Sequence, residues 1–217
     1  MRRWCAAFAV AVPILAPASP EAGNAVIVDQ RLAVDYMHYR DAISVRRHPL
    51  MFESGATVTN CIGYLRNKKS SRLAEGVNNT NFSQEYLECD ALDLLKRAGV
   101  RRVARSAFQG RGDDLLKRLD LRSFPSSLHP ATDATHKVLA DFRELHPVAS
   151  RYAVLADISD WFFKLQLVAE FDADRDGSTE WLIWLVDAAR TGSYRGYATL
   201  IVHDPTATGL LKATSAR

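Results

Sequence analysis

The chain has 217 residues, of which 47% are hydrophobic and 24% are charged, and its formal net charge is +3. This length is sufficient for one domain with a sizeable core, or for two small domains that share one. The sequence contains no internal repeat and no low-complexity segment, which excludes repeat architectures such as a β-propeller of ordinary size.

The N-terminal residues resemble a secretory signal peptide, which we place at residues 1–22. Arg2 and Arg3 form a short positive region, residues 4–16 are largely apolar, and Ala16-Pro17-Ala18 offers a cleavage site. Removing the two arginines lowers the net charge from +3 to +1. A retained N-terminal anchor is the alternative, although the apolar stretch is short for a membrane span. We therefore expect an exported, periplasmic protein with no membrane span after cleavage.

Residues 23–150 are predicted to form a helical domain. Apolar side chains recur at helical spacing in four segments, which we predict to be helices: 29–45, 54–67, 83–98 and 133–145. The third segment has the clearest signals. Its glutamates come early and its basic residues late, as the helix dipole favours, and Gly99 can end it.

Two cysteines, Cys61 and Cys89, remain once the signal peptide is removed, and they lie on neighbouring predicted helices. In an exported protein, two remaining cysteines indicate one disulfide, with two buried thiols as the alternative. The bond would join the helices of an N-terminal helical bundle.

Residues 151–217 are predicted to form an antiparallel sheet. Its strands are expected over residues 162–171, 180–188 and 197–203. The first alternates apolar and polar residues, and the second is apolar on both faces, as a central strand is. The sequence thus predicts an α+β fold in which a disulfide-linked helical bundle packs with a C-terminal antiparallel sheet.

An acidic loop connects the first two of these strands. Aspartates occupy loop positions 1, 3 and 5, and Gly177 at position 6 permits a sharp turn. Three aspartates alternating in a turn repel one another without a cation, and Ca²⁺ takes six to eight oxygens. A metal-free acidic hairpin is the alternative. The predicted Ca²⁺ ligands are Asp172, Asp174, Asp176, Ser178 (through its carbonyl) and Glu180.

The D-x-D-x-D-G-x-x-E spacing resembles the calcium loop of FG-GAP (integrin propeller-type) repeats. It matches the opening of an EF-hand loop but has Ile183 at position 12, where an EF-hand supplies a glutamate. The segment Cys61-Ile62-Gly63-Tyr64-Leu65 resembles the C-x-G-Y element of Rap1a/Tai-type immunity proteins. Those are small, helical, disulfide-linked periplasmic proteins, and the resemblance implies a secreted toxin as partner.

Neither a G-x-S-x-G nor an H-E-x-x-H motif occurs, and the predicted disulfide uses both remaining cysteines. We therefore favour a non-enzymatic exported calcium-binding protein, a periplasmic inhibitor or immunity protein that binds a protein partner and no nucleic acid. One alternative is a small periplasmic hydrolase that acts on cell wall or lipid through paired carboxylates. Another is an envelope-associated module that docks through the basic stretch, residues 96–122. Carboxylates available for hydrolysis include Glu85, Glu88, Asp90, Asp93, Glu170 and Asp187.

Overall fold

The computed structural model describes residues 24–104 and 111–216. The predicted signal peptide and residues 105–110 of the basic stretch lie outside the described residues. Within the described ranges, no helix has the length and apolar character needed to cross a membrane.

Helices and strands are mixed along the chain. The helices are α1 (Gln30–Met37), α2 (Tyr39–Ala42), α3 (Cys61–Lys68), α4 (Val77–Phe82), α5 (Leu87–Arg97) and α6 (Gly112–Lys117). The strands are β1 (Asn24–Ile27), β2 (Leu50–Met51), β3 (Thr57–Val58), β4 (Arg102–Ala104), β5 (Val148–Ala149), β6 (Ala153–Ile158), β7 (Trp161–Phe171), β8 (Glu180–Ala189), β9 (Arg195–His203) and β10 (Lys212–Ser215).

The main sheet is almost wholly antiparallel and has β7 near its centre. Its order is β10-β9-β8-β7-β1-β4, with β1 and β4 parallel. One edge of β7 pairs with β8, while the other pairs first with β6 and then, beyond a bulge near Leu167, with β1. The α+β class and the three predicted strands are confirmed. However, β1 and β4 extend the sheet from within the segment predicted to be helical.

The two faces of the sheet are covered by different segments. Alternate residues of β7, such as Phe163 and Leu165, pack with Leu115 of α6 and with buried residues up to Phe142. The opposite face packs against α1 and α5, and Leu32 and Leu92 are fully buried there. Each such leucine stabilises the fold by about 1.5–3 kcal/mol relative to an exposed one.

The prediction of a helix over residues 133–145 is wrong. Residues Leu139–Asp141 and Arg143–Leu145 form two short 3₁₀ turns instead. The carboxylate of Asp141 accepts the backbone N–H groups of Lys137 and Val138 at 2.7 and 2.9 Å, whereas in a helix these groups would donate to the carbonyls of residues 133 and 134. Such local side-chain hydrogen bonds compete with helix formation, which explains why the apolar spacing did not produce a helix.

The predicted start of the second helix is also wrong. Residues 50–58 form the hairpin β2–β3, and α3 begins only at Cys61, where the Asn60 side chain accepts the N–H of Gly63 at 2.9 Å. The third predicted helix is confirmed as a 3₁₀ turn followed by α5. It ends at Gly99, whose φ of +74° lets the chain leave the helix.

The predicted disulfide is confirmed. Cys61 and Cys89 are bonded and fully buried, and they link α3 to α5. They lie in a small core with Leu50, Phe52 and Tyr86. The bond therefore fixes the hairpin segment and α3 against the helix that packs on the sheet.

Candidate metal centre

The acidic loop is residues 172–179, the connection between β7 and β8. Phe171 pairs with Glu180, so the two strands close the loop at its base. Arg175 and Gly177 have positive φ values of 67° and 91°. These left-handed positions turn the chain back on itself within a few residues.

Each of the three loop aspartates accepts a backbone N–H from further along the loop. Asp172 Oδ2 accepts from Gly177 at 3.0 Å, Asp174 Oδ1 from Asp176 at 3.2 Å, and Asp176 Oδ1 from Ser178 at 2.7 Å. The N–H of Ser178 holds the pKa of the Asp176 carboxyl below its ordinary value. The bond from Ser178 thus favours the ionised form of Asp176, and all three bonds fold the loop back toward its own carboxylates.

The three aspartates form a group that could hold a metal ion. Asp172, Asp174 and Asp176 each offer a carboxylate oxygen, and these oxygens lie within 4.8 Å of one another. Asp172 Oδ1 is buried and has no hydrogen-bond partner among the described residues. A buried carboxylate oxygen is costly to leave unpaired, and a cation among the three carboxylates would satisfy it.

Glu180 lies behind this group. Its side chain is buried, and its Oε2 accepts the N–H of Ala173 at 2.6 Å. Burial raises its pKa, and the three loop aspartates raise it further. Glu180 therefore holds the base of the loop through its hydrogen bond with Ala173. Ser178 contributes a backbone N–H to Asp176. As metal ligands, both residues remain predictions.

Arg175 connects the loop to α5. This contact has no signature in the sequence, because the two segments are far apart along the chain. Its Nε donates to the Ala98 carbonyl at 3.2 Å, and its Nη2 donates to the Arg97 carbonyl. A cation at the C-terminal end of a helix is favourable because the last carbonyls are unpaired and partly negative. The loop is thus fastened to the helix that carries Cys89.

Two acidic residues of α5 that the sequence offers for hydrolysis, Glu88 and Asp90, form ion pairs in the folded chain. Asp90 lies 2.8 Å from Lys68 Nζ and also accepts the Tyr64 hydroxyl, while Glu88 pairs with Arg47 at 3.0 Å. Burial raises the pKa of both carboxyls.

Asp187 on β8 is a fully buried carboxylate with several donors around it. It accepts the N–H and the hydroxyl of Ser127 at 2.6 and 2.7 Å, the Trp161 indole at 2.8 Å and the Tyr194 hydroxyl at 3.0 Å. Burial, reinforced by this carboxylate, raises the pKa of Tyr194 to about 12. The arrangement fastens the segment around Ser127 to the sheet.

The basic stretch is partly neutralised in its described portion. Lys117, Arg118 and Arg122 each form an ion pair with an aspartate of the same stretch. Arg101 is exposed, whereas the side chain of Arg102 and the whole of Arg105 are outside the described structure.

Comparisons with known protein families, with curated proteins and with solved structures return no match for this chain.

Proposed function

We propose that this protein is an exported calcium-binding protein that acts as a periplasmic inhibitor, or immunity protein, against a secreted toxin. The observation that carries the calcium part is the buried, unpartnered Asp172 Oδ1 beside the carboxylates of Asp174 and Asp176. Glu180 and the Ser178 carbonyl complete the proposed ligand set.

An oxygen-only ligand set in a turn favours Ca²⁺ over Mg²⁺. Ca²⁺ accepts six to eight oxygens in irregular geometry, while Mg²⁺ requires near-ideal octahedral geometry and keeps several waters. Loop positions 172–180 supply carboxylates and carbonyls from one short turn, which suits the larger ion. The ion would fix the β7–β8 connection rather than act on a substrate.

The inhibitor part is supported by three features of the chain. The signal-like N-terminus and the Cys61–Cys89 disulfide fit an oxidising compartment. The C-x-G-Y element that begins at Cys61 forms the first turns of α3 and connects to α5. The acidic side chains described above are occupied by structural contacts, which favours binding over catalysis.

The calcium proposal is tested by titrating EGTA-stripped protein with Ca²⁺ and with Mg²⁺ in a calorimeter. We expect one Ca²⁺ per chain, with a dissociation constant of about 10⁻⁴–10⁻³ M, as in extracellular calcium-binding modules. Mg²⁺ should bind more weakly. Equal affinity for both ions, or no heat with either, would reject the proposal.

The inhibitor proposal is tested by producing the protein with a candidate toxin encoded by the adjacent gene. Periplasmic toxin should be neutralised by the full chain but not by a chain that lacks residues 1–22. Charge reversal of Arg101, Arg102 and Arg105 should slow association with an acidic toxin surface. Arg66→Glu, an exposed change on α3, is the matched control. If Arg66→Glu abolishes protection as well, the effect is not specific to the basic stretch, and the proposal that this stretch contacts the toxin is rejected.

A small hydrolase is the second candidate function, because one carboxyl with a raised pKa, Glu88, lines a cavity of about 690 Å³. A general acid needs a pKa above the ordinary value of a carboxyl, and burial shifts the pKa of Glu88 in that direction. Incubation of the purified protein with peptidoglycan or phospholipid tests this directly. Product formation that Glu88→Gln abolishes would favour the hydrolase over the inhibitor.

A further inference from the structure

The C-terminal end of α5 is closed partly by its own backbone. The N–H groups of Gly99 and Val100 donate to carbonyls of the last helical turn at 3.1 and 3.2 Å. With the φ of Gly99 at +74°, these two bonds form the common glycine-terminated helix end. The carbonyls of Arg97 and Ala98 lie at the very end of the helix, where no further helical N–H follows, so their donors must come from another segment.

Arg175 of the acidic loop supplies these donors. Its Nε donates to the Ala98 carbonyl at 3.2 Å, and its Nη2 donates to the Arg97 carbonyl. A guanidinium presents its N–H groups in a rigid fork, so one side chain reaches both carbonyls, and its charge suits the negative end of the helix dipole. A side chain at Gly99 would disturb this contact, because a Cβ there would lie 3.3 Å from Arg175 Nη2. The glycine therefore leaves the space in which the loop docks.

The same residue sets the direction of the acidic loop. Arg175 stands between Asp174 and Asp176, which belong to the group of three carboxylates whose oxygens lie within 4.8 Å of one another. Its φ of +67° is in the left-handed region, which a residue other than glycine seldom adopts unless its surroundings hold it there. The two bonds to α5 provide this constraint. In the described chain Arg175 forms no ion pair with either aspartate, so its charge does not neutralise them.

We propose that Arg175 is a positioning residue for calcium, which links the acidic loop to α5 so that calcium binding and the order of the α5 end strengthen each other. This inference rests on the proposed calcium function and is independent of a toxin partner. A loop that is held in its binding conformation before the ion arrives loses less conformational freedom on binding, which raises the affinity. By linkage, an ion that fixes the loop also fixes the helix end to which Arg175 donates.

The variant Arg175→Lys separates the hydrogen-bonding fork from the charge. Lysine keeps the positive charge between the two aspartates but cannot donate from two fixed N–H groups to both carbonyls. Calorimetric titration of the full mature protein, stripped with EGTA, should show Ca²⁺ binding that is about fivefold or more weaker in the variant than in the wild type. Arg190→Lys is the matched control, because Arg190 follows the other end of β8 and donates to Asp157 at 3.0 Å. Its Ca²⁺ affinity should equal that of the wild type.

Hydrogen exchange supplies a readout that a purely structural contact would not change. In the wild type, saturating Ca²⁺ should slow exchange of the Gly99 and Val100 N–H groups about fivefold or more, because opening of the helix end would then require release of the ion-bound loop. In Arg175→Lys, saturating Ca²⁺ should leave these two exchange rates nearly unchanged. The N–H of Arg118, which donates to the Asp114 carbonyl at 2.9 Å at the end of α6, is the internal reference and should not respond to Ca²⁺.

The results separate this coupling from the calcium function on which it rests. If the wild type binds no Ca²⁺, both are rejected. The calcium function stands and the coupling alone is overturned if the wild type binds Ca²⁺ and Arg175→Lys binds it equally well, or if Arg190→Lys loses as much affinity. The same holds if exchange of Gly99 and Val100 in the wild type does not depend on Ca²⁺. Should Arg175→Lys fail to fold, the exchange measurement on the wild type still decides.

Discussion

Replacing Asp174 by Asn tests whether the acidic loop is a metal site or a metal-free turn. Asp174 is exposed, and its carboxylate accepts the N–H of Asp176. An asparagine oxygen keeps that hydrogen bond and removes one of three negative charges that lie within 4.8 Å of one another. Without metal, the variant should therefore be at least as stable as the wild type, since like-charge repulsion is reduced.

The size of the stabilisation by bound Ca²⁺ follows from mass action. A ligand that binds only the folded state stabilises it by about 2.7 kcal/mol at a free concentration 100 times its dissociation constant. For a chain of this size, 1 kcal/mol corresponds to about 2–4 °C in melting temperature. Saturating Ca²⁺ should thus raise the wild-type melting temperature by about 5–10 °C. Asp174→Asn should lose most of this gain.

Thermal unfolding followed by circular dichroism measures both effects in EGTA and in excess Ca²⁺. Asp113→Asn is the matched control, because Asp113 is an exposed aspartate that pairs with Lys117 on α6. The reasoning is refuted if wild type and Asp174→Asn respond equally to Ca²⁺. It is also refuted if the variant is markedly less stable than wild type in EGTA, because the carboxylate would then have a structural role without metal.

Three further predictions concern stability. Alkylation of non-reduced mature protein should detect no free thiol at Cys61 or Cys89, and replacing both by alanine should lower stability by about 3 kcal/mol, measured by urea unfolding. Gly112→Ala should lower the free energy of unfolding by about 1–3 kcal/mol or more, because the added Cβ would lie 1.9 Å from the backbone carbonyl oxygen of Ser150. An unchanged midpoint of urea unfolding would contradict this close approach. The guanidinium of Arg122 holds the pKa of the Asp120 carboxyl below its ordinary value of 3.8. The pair therefore stabilises the folded state above pH 3.8, and this stabilisation is lost as the pH falls through the lowered pKa of the folded state. Arg122→Ala should therefore shift acid unfolding to higher pH, and identical acid titrations would argue against the pair.

The sequence alone determined those features whose signals are local. Period-2 alternation located β7, and the charge order with Gly99 located α5. Aspartates at alternate positions marked the acidic loop. The two cysteines left after the signal peptide indicated the disulfide. In each case a few neighbouring residues carry the chemistry, so spacing along the chain was enough.

Local spacing failed where hydrogen bonds or pairing partners decided the outcome. The apolar period over residues 133–145 predicted a helix, but the Asp141 carboxylate accepts the N–H groups of Lys137 and Val138, and two short 3₁₀ turns form instead. Strands β1 and β4 have only four and three residues, too few for a periodic signal. They became strands because β7 presents an open edge beyond its bulge, and β1 in turn presents one to β4.

The acidic loop and the cavity beside the sheet show the same division. Spacing found the aspartates, yet only the folded chain shows that Asp172 Oδ1 is buried without a partner and that Arg175 fastens the loop to α5. The cavity lined by Arg47 and Trp184 has no local signature, because these two residues are distant in the sequence and line one space only when the helices cover the sheet. Periodicity specifies which face of an element is apolar. Which segment covers that face, and which donors are left unpaired beneath it, is decided by tertiary packing.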